Sequence, residues 1–383
     1  MLLQKTRALL AAAATVSAIA FTPAAASPAP AGAVGNKASY APEISGTGRY
    51  IVFASDATNL VAGDTNAKRD IFIRDTVAKT TRKVTKGLTG QSNGNSFTPK
   101  VSDDGRYVAF LSDATNLVTG DTNNVTDAFR ADLSTGKIIR VSVGAAGKQA
   151  NKVTRELGMN ATGNSIVFSS DATNLVAGDT NGKSDVFLRD LALAAPKRLS
   201  NIAEYAKPTI SPDGNWVSYF AGWSGNLMAW NRQTNQSTVA CEVTYDGNAE
   251  SWCDEGVASN AGVSYLDSGF YGCCTYVAGM SVVAQPASLS FGHDWGRYYD
   301  GSWPTGVLDI TKFGSMVVVR DDSRNGLHEL VLMDKTGILG YLGVNSSAVA
   351  LASGGGSVVY VDANKQIALW NRSNASTTIV SVN

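Results

Sequence analysis

Three observations on the 383-residue sequence predict an all-β fold, a β-propeller of four-stranded antiparallel blades. The stretch S-D-A-T-N-L-V-x-G-D-T-N occurs three times, from Ser55 to Asn66, Ser112 to Asn123 and Ser170 to Asn181, at steps of 57 and 58 residues. Each copy leads into an Asp and an aromatic strand, Asp70-Ile71-Phe72, Asp127-Ala128-Phe129 and Asp185-Val186-Phe187. After the N-terminal region, no stretch carries a sustained 3.6-residue apolar period, whereas short alternating strands bounded by glycine turns recur throughout. Self-similarity at a fixed long period means that each repeat is one supersecondary unit stacked on its neighbours. A β-sandwich has no reason to repeat the same loop in register.

The chain begins with a different kind of segment. Lys5 and Arg7 precede an uncharged apolar run from Ala8 to Phe21, and Ala24-Ala25-Ala26 offers a small-residue cleavage site. The run is shorter than the ~20 residues that span a bilayer and stops at Pro23. We read 1–26 as a cleaved export signal, which places the protein in the periplasm or the medium. Residues 27–40 form a loose Pro/Ala/Gly-rich leader, and 41–383 a single propeller. Removing Lys5 and Arg7 leaves 30 basic residues against 32 acidic ones, and no Lys/Arg run follows. That balance argues against nucleic acid as a partner. No later segment is apolar enough to span a membrane, and a monomer is expected.

Within each clear repeat, a short strand ends in an S-x-x-G turn, as at Ser45 to Gly48 and Ser102 to Gly105. A second strand follows, Arg49 to Phe53 or Arg106 to Phe110, then the long polar loop. A third strand such as Asp70 to Arg74 leads through a turn to a fourth, Arg82-Lys83-Val84-Thr85 or Ile138 to Val141. The opening turn recurs at Asn160 to Gly163, Ser211 to Gly214 and Ser259 to Gly262, and more weakly at Thr311 to Gly314 and Ser353 to Gly356. Apolar strands follow the later turns, from Trp216, Val263, Met316 and Val358. Seven units account for nearly everything beyond residue 40; six or eight are alternatives because the sixth start is poorly marked. Closure has two solutions: residues 35–40 add an outer strand to the last blade, or the seventh unit is complete alone.

Ser211-Pro212-Asp213-Gly214-Asn215-Trp216-Val217-Ser218-Tyr219-Phe220 and Ser102-Asp103-Asp104-Gly105-Arg106-Tyr107-Val108-Ala109-Phe110 resemble the WD40-like repeat of the TolB family. The resemblance covers about residues 40–383 and is strong in the first four units. It implies a propeller in which this motif turns from the innermost to the second strand. The family serves as binding scaffolds and as partner domains of peptidases, so the motif specifies fold more than function.

The chemistry on offer is sparse. D-T-N-x-x-x-D collects Asp64, Asn66 and Asp70; Asp121, Asn123 and Asp127; and Asp179, Asn181 and Asp185. Hard oxygens at positions one, three and seven suit a Ca²⁺ ion, with carbonyls and water completing the shell. The alternative is a set of Asx-turns with a capping Asp. Asp56, Asn59, Asp113, Asn116, Asp171 and Asn174 open the same loops, which adjacent blades would present together on one rim, as a ligand face or a solvated one.

The second half carries Cys241, Cys253, Cys273 and Cys274, read as two disulfides of undetermined pairing in an exported protein, with zinc as the rival. Around them lies an aromatic set from which Trp295, Tyr298, Tyr299 and Trp303 are picked as a ligand surface for sugars or apolar partners. There are two His, His293 and His328, and no G-x-S-x-G elbow. We therefore expect a non-catalytic binding or protein-interaction module. Its alternatives are a glycan-binding propeller stabilised by calcium, or a glycoside-acting enzyme or lyase working in the central channel.

Overall fold

The computed structural model describes residues 32–200, 206–221 and 225–241, then the strands and short stretches given below as far as 382. Beyond Cys241, side chains are described for 257–260, 263, 346, 348–352, 356–374 and 377–382. Trp295, Tyr298, Tyr299, Trp303 and Cys273 lie outside the described residues, as do the side chains of Cys253 and Cys274.

The first sheet consists of Ser39–Ile44, Tyr50–Ser55, Asp70–Asp75 and Thr80–Lys83. The second consists of Ser96–Val101, Tyr107–Ser112, Asp127–Asp132 and Lys137–Arg140. The third uses Thr154–Met159, Ser165–Ser170, Asp185–Asp190 and Lys197–Arg198. Four further sheets follow, so the described residues hold seven four-stranded antiparallel sheets, each built from strands in sequence order. The seventh comprises Val349–Leu351, Ser357–Val361, Ile367–Asn371 and Ser376–Ile379, complete without a strand from the N-terminal end.

Ser39–Ile44, Ser96–Val101, Thr154–Met159, Thr209–Ile210, Ala249–Ser259, Pro304–Ile310 and Val349–Leu351 touch in that order, and the last touches the first. These strands therefore surround the central channel of a β-propeller. In the first three sheets the second and third strands are buried on both faces: Ile51, Val52, Phe53 and Ala54 are at most 1% exposed. That burial explains why these strands read as continuous apolar runs rather than strict alternations.

The sheets pack through repeated apolar layers. Phe53 stacks on Phe72, Phe110 on Phe129 and Phe168 on Phe187, with ring centroids 6.0, 5.8 and 5.6 Å apart. Phe110 and Phe129 lie in one cluster with Val52, Ile71 and Ile73 of the first sheet, so the pair faces the preceding blade. Phe53 and Phe72 likewise pack against Ala350, Val359 and Ile367 of the seventh sheet, closing the ring with an apolar layer.

The S-x-x-G turns obey a steric rule. Gly105 has φ +71°, and a Cβ there would lie 2.0 Å from the Tyr50 ring of the preceding blade. Both conditions admit only glycine.

Truncating a fully buried aromatic leaves a cavity between blades. Phe110→Ala should cost about 3–5 kcal/mol of unfolding free energy, read from urea or guanidinium melts. An exposed control such as Val77→Ala should stay within about 0.5 kcal/mol.

Candidate functional site

The repeated loops join the second and third strands, and their first and last positions are buried. Asp70, Asp127 and Asp185 open the third strands at 0% exposure, and Asp64 and Asp179 are 7% exposed. An ionised carboxylate out of water has to be compensated by charge and hydrogen bonds. Thr85 Oγ1 donates to Asp70 Oδ1 at 2.6 Å, Asn66 Nδ2 donates to Oδ2 at 3.0 Å, and Lys83 Nζ lies 2.5 Å from Oδ2. The same ammonium reaches Asp64 Oδ1 at 3.0 Å. The loop thus brings Asp64, Asn66 and Asp70 together as the spacing predicts, around the tip of a fourth-strand side chain.

The second loop repeats this arrangement with a guanidinium. Ser142 Oγ and Asn123 Nδ2 donate to Asp127 at 2.6 and 2.8 Å. Arg140 lies 3.3 Å from Asp121 and 3.6 Å from Asp127. In the third, Arg198 Nη1 sits 3.0 Å from Asp179 and 3.5 Å from Asp185, while Asn181 donates to both oxygens of Asp185. Asp179 is paired by proximity only, since neither of its oxygens has hydrogen-bond geometry to a partner.

Burial pushes the carboxyls of Asp70 and Asp127 up, and the bonded base, hydroxyl and amide oppose it. In the third loop the opposition is weakest. Burial and the neighbouring Asp179 raise Asp185 to about 6 against Asn181 and Arg198.

Lys83, Arg140 and Arg198 are the residues that reading the loops alone missed. Their signal was present as Lys83-Val84-Thr85, Arg140-Val141-Ser142 and Arg198-Leu199-Ser200, a base and a hydroxyl two residues apart on each fourth strand.

A second layer holds the loops from outside. Gln91 donates through Nε2 to Gly63 O and Thr65 Oγ1, both at 2.8 Å, and its Oε1 accepts from the backbone of Thr65 and Asn66. Gln149 grips Gly120 and Thr122 in the second loop in the same manner. Two residues after Gln91, Asn93 binds Thr115 and Asn116 at the start of the next loop, and Asn151 repeats this with Thr173 and Asn174. One inter-blade segment therefore bridges neighbouring loops, and the three loops share one rim. Their tips are solvent-exposed at Ala62-Gly63, Thr119-Gly120 and Ala177-Gly178. A cavity of about 460 Å³ opens beneath the first loop, lined by Val61, Asp64, Ile73, Lys83, Gln91 and Leu133 among others.

The acids at the loop entrances are occupied structurally. Arg69 bridges to Asp56 at 2.9 Å with its guanidinium 4.0 Å over the Tyr40 ring, and Arg155 pairs with Asp171. Along the channel wall, Glu43 pairs with Lys100, and Glu156 feels both Lys100 and Lys207. Glu156 is reached by solvent yet enclosed by the wall, and that enclosure pushes its carboxyl up.

Among the described residues, no group of three or more His, Cys, Asp or Glu is placed to hold a metal ion. Cys241 is buried at the end of its strand, 5% exposed. No described helix is long and apolar enough to cross a membrane.

No protein-family profile and no curated protein matches the chain. Solved structures are similar in fold. A prolyl endopeptidase superposes with a TM-score of 0.59 and 12% identity over 90% of this chain and 49% of its own, so this chain spans about half that protein's length. The β-propeller domain of the Trilobed protease from Pyrococcus furiosus gives a TM-score of 0.55 and 11% identity, covering 90% of this chain and 97% of that one. TolB from Acinetobacter baumannii matches 61% of this chain and 52% of its own at 17% identity, with a TM-score of 0.35. The likeness to the first two is the likeness of one β-propeller to another.

Removing the base from a loop strands two buried acids. Lys83→Met should destabilise the protein by about 3–5 kcal/mol, and Lys83→Arg should recover most of the loss because the second and third loops already use arginine. The third loop predicts a pH effect. With Asp185 at about 6 when folded and near ~3.9 when unfolded, the folded state holds the proton more tightly. The cost of ionising Asp185 is therefore full above about pH 6 and is relieved as the pH falls towards 4. Asp185→Asn should raise the melting temperature at pH 7.5 and flatten the pH dependence across that window.

Proposed function

We propose that the protein is an exported, non-catalytic binding module whose ligand face is the rim carrying the three repeated loops. The observation that carries this reading is the double clamping of those loops. Each is fixed from below by a base paired with its acids and the first two also from above by Gln91 or Gln149, while the tips stay open and lie side by side. Loops pre-ordered on a rigid scaffold lose little entropy on binding. Export rests on the N-terminal signal, and it makes disulfides among the four cysteines part of the same proposal. One sheet per blade, seven in all, is the architecture this reading assumes.

Two other readings have specific support. Calcium could use Asp64, Asn66 and Asp70 and their counterparts if it displaced the Lys83 ammonium, or Arg140 and Arg198, from between the acids. A channel enzyme would have Glu156 as its raised acid, the type of group that protonates a leaving oxygen.

One set of measurements separates them. A glycan array and a panel of envelope proteins should retain the wild type, while the exposed tip variants Ala62→Arg with Thr119→Arg abolish retention without moving the melt. Ligand retention unaffected by these tip variants would sink the rim as the ligand face. Millimolar Ca²⁺ against EDTA should leave the melting temperature unchanged if the bases fill the loops. If calcium binds, a ligand at ~100 times its Kd adds roughly 2.7 kcal/mol per site. Chromogenic glycosides and oligouronates should give no turnover; turnover lost in Glu156→Gln would establish the enzyme instead.

A further inference from the structure

We infer that the propeller ring is closed by a split copy of its own inter-blade hairpin, with a strap at residues 34–39 serving as the second half of the last joint. The hairpin is intact at two joints. Lys86 pairs with Gln91 through 87–90, and Val143 pairs with Gln149 through 144–148. At the third, Val382 pairs with Val34, its partner at the opposite end of the sequence.

The surrounding bonds superimpose residue for residue. Asn59 Nδ2 donates to Val34 O at 2.9 Å, as Asn116 does to Gln91 O and Asn174 to Gln149 O, each at 2.8 Å. Asn36 Oδ1 accepts from Thr58 N at 2.9 Å, as Asn93 accepts from Thr115 and Asn151 from Thr173. Ser39 N donates to Lys365 O where Ser96 N donates to Arg69 O and Thr154 N to Thr126 O. Ser381 Oγ donates to Gln366 Oε1 at 2.7 Å, in the place of Thr85 to Asp70 and Ser142 to Asp127. Gln366 Nε2 reaches back to Gly35 O, the carbonyl equivalent to Ser92 O and Ala150 O, which Asn66 and Asn123 bind. A neutral Gln366–Ser381 pair thus replaces the buried acid. Thr81 Oγ1 and Arg74 Nη1 of the first sheet hold Val382 O from the other side, at 2.5 and 3.4 Å.

The strap therefore occupies the joint between the last blade and the first, bonded to both, although it precedes the first in sequence. Its attachment is non-covalent, whereas the equivalent segments at the two intact joints are tethered by a short turn. Untethered pairing gives up the chain connection that keeps the two halves close, so this joint is the first of the three to open.

Hydrogen exchange on the full chain tests this directly. Amides of Gly35, Asn36 and Ser39 should exchange faster than those of Ser92, Asn93 and Ser96 by at least about fivefold. In a circular permutant, Val382 is joined to Val34 through a copy of Gly144–Lys148, and new ends are opened between Leu88 and Thr89. There the ranking should invert, with Ser92, Asn93 and Ser96 becoming the fast set. A permutant that folds with the original ranking would overturn the inference. Should it not fold, point variants decide. Asn36→Ala should accelerate exchange at Ser381 and Val382 and lower the melting temperature at least as much as Asn93→Ala. An Asn36→Ala protein unchanged in both readouts, beside a destabilised Asn93→Ala, would likewise overturn it.

Discussion

A carboxylate with no access to water opens the third strand of each of the first three sheets, and the local structure is arranged around that constraint. Asp70, Asp127 and Asp185 are fully buried where the loop returns to the sheet. Each carries a large desolvation cost that only a nearby cation and several hydrogen bonds can offset. The fourth strand supplies the base, Lys83, Arg140 or Arg198, and the residue two positions on adds a hydroxyl bond to the acid in the first two sheets. The loop supplies the amide of Asn66, Asn123 or Asn181. Because the partners come from the loop and from the next strand but one, satisfying the acid fixes the loop's path and the register of the fourth strand together.

The same economy extends between blades. The segment from Gln91 to Asn95 grips the first loop with one amide side chain and the second loop with another, and 149–153 does so for the second and third. Loops on successive blades are therefore coupled through polar contacts above an apolar layer of stacked phenylalanines. The three loops are thereby tied to one another along one rim. The channel wall is different in character. Over the first four blades its charges alternate, from Glu43 to Lys100 to Glu156 to Lys207, with Glu43 paired to Lys100 and both lysines acting on Glu156.

At the closure the acid is dispensed with. Gln366 occupies the position of Asp70 and is satisfied by Ser381 and by the strap's carbonyls, without a base. A neutral amide suits a joint made from two distant chain segments, since it leaves no uncompensated charge when the segments part.

The sequence by itself determined the repeat, the strand order within each unit and the glycine turns. These depend on short-range chemistry: alternation, positive φ and a loop copied in register. It also pointed Asp64, Asn66 and Asp70 at one another, and in the structure the two acids meet at the Lys83 ammonium with the Asn66 amide on Asp70. It could not say what fills that point. The donor spacing of a calcium loop and that of an ion-paired loop are the same, and the base that pairs with the acids lies 13 residues downstream of the closing Asp, on another strand. The Lys83-Val84-Thr85 pattern was legible, but its meaning needed the fold that brings the fourth strand beside the third. Closure was undecidable for the same reason. Val34 and Val382 stand 348 positions apart, and only the ring brings them into one hairpin. Local geometry is written in neighbouring residues, whereas compensation of a buried charge is a contact between distant ones.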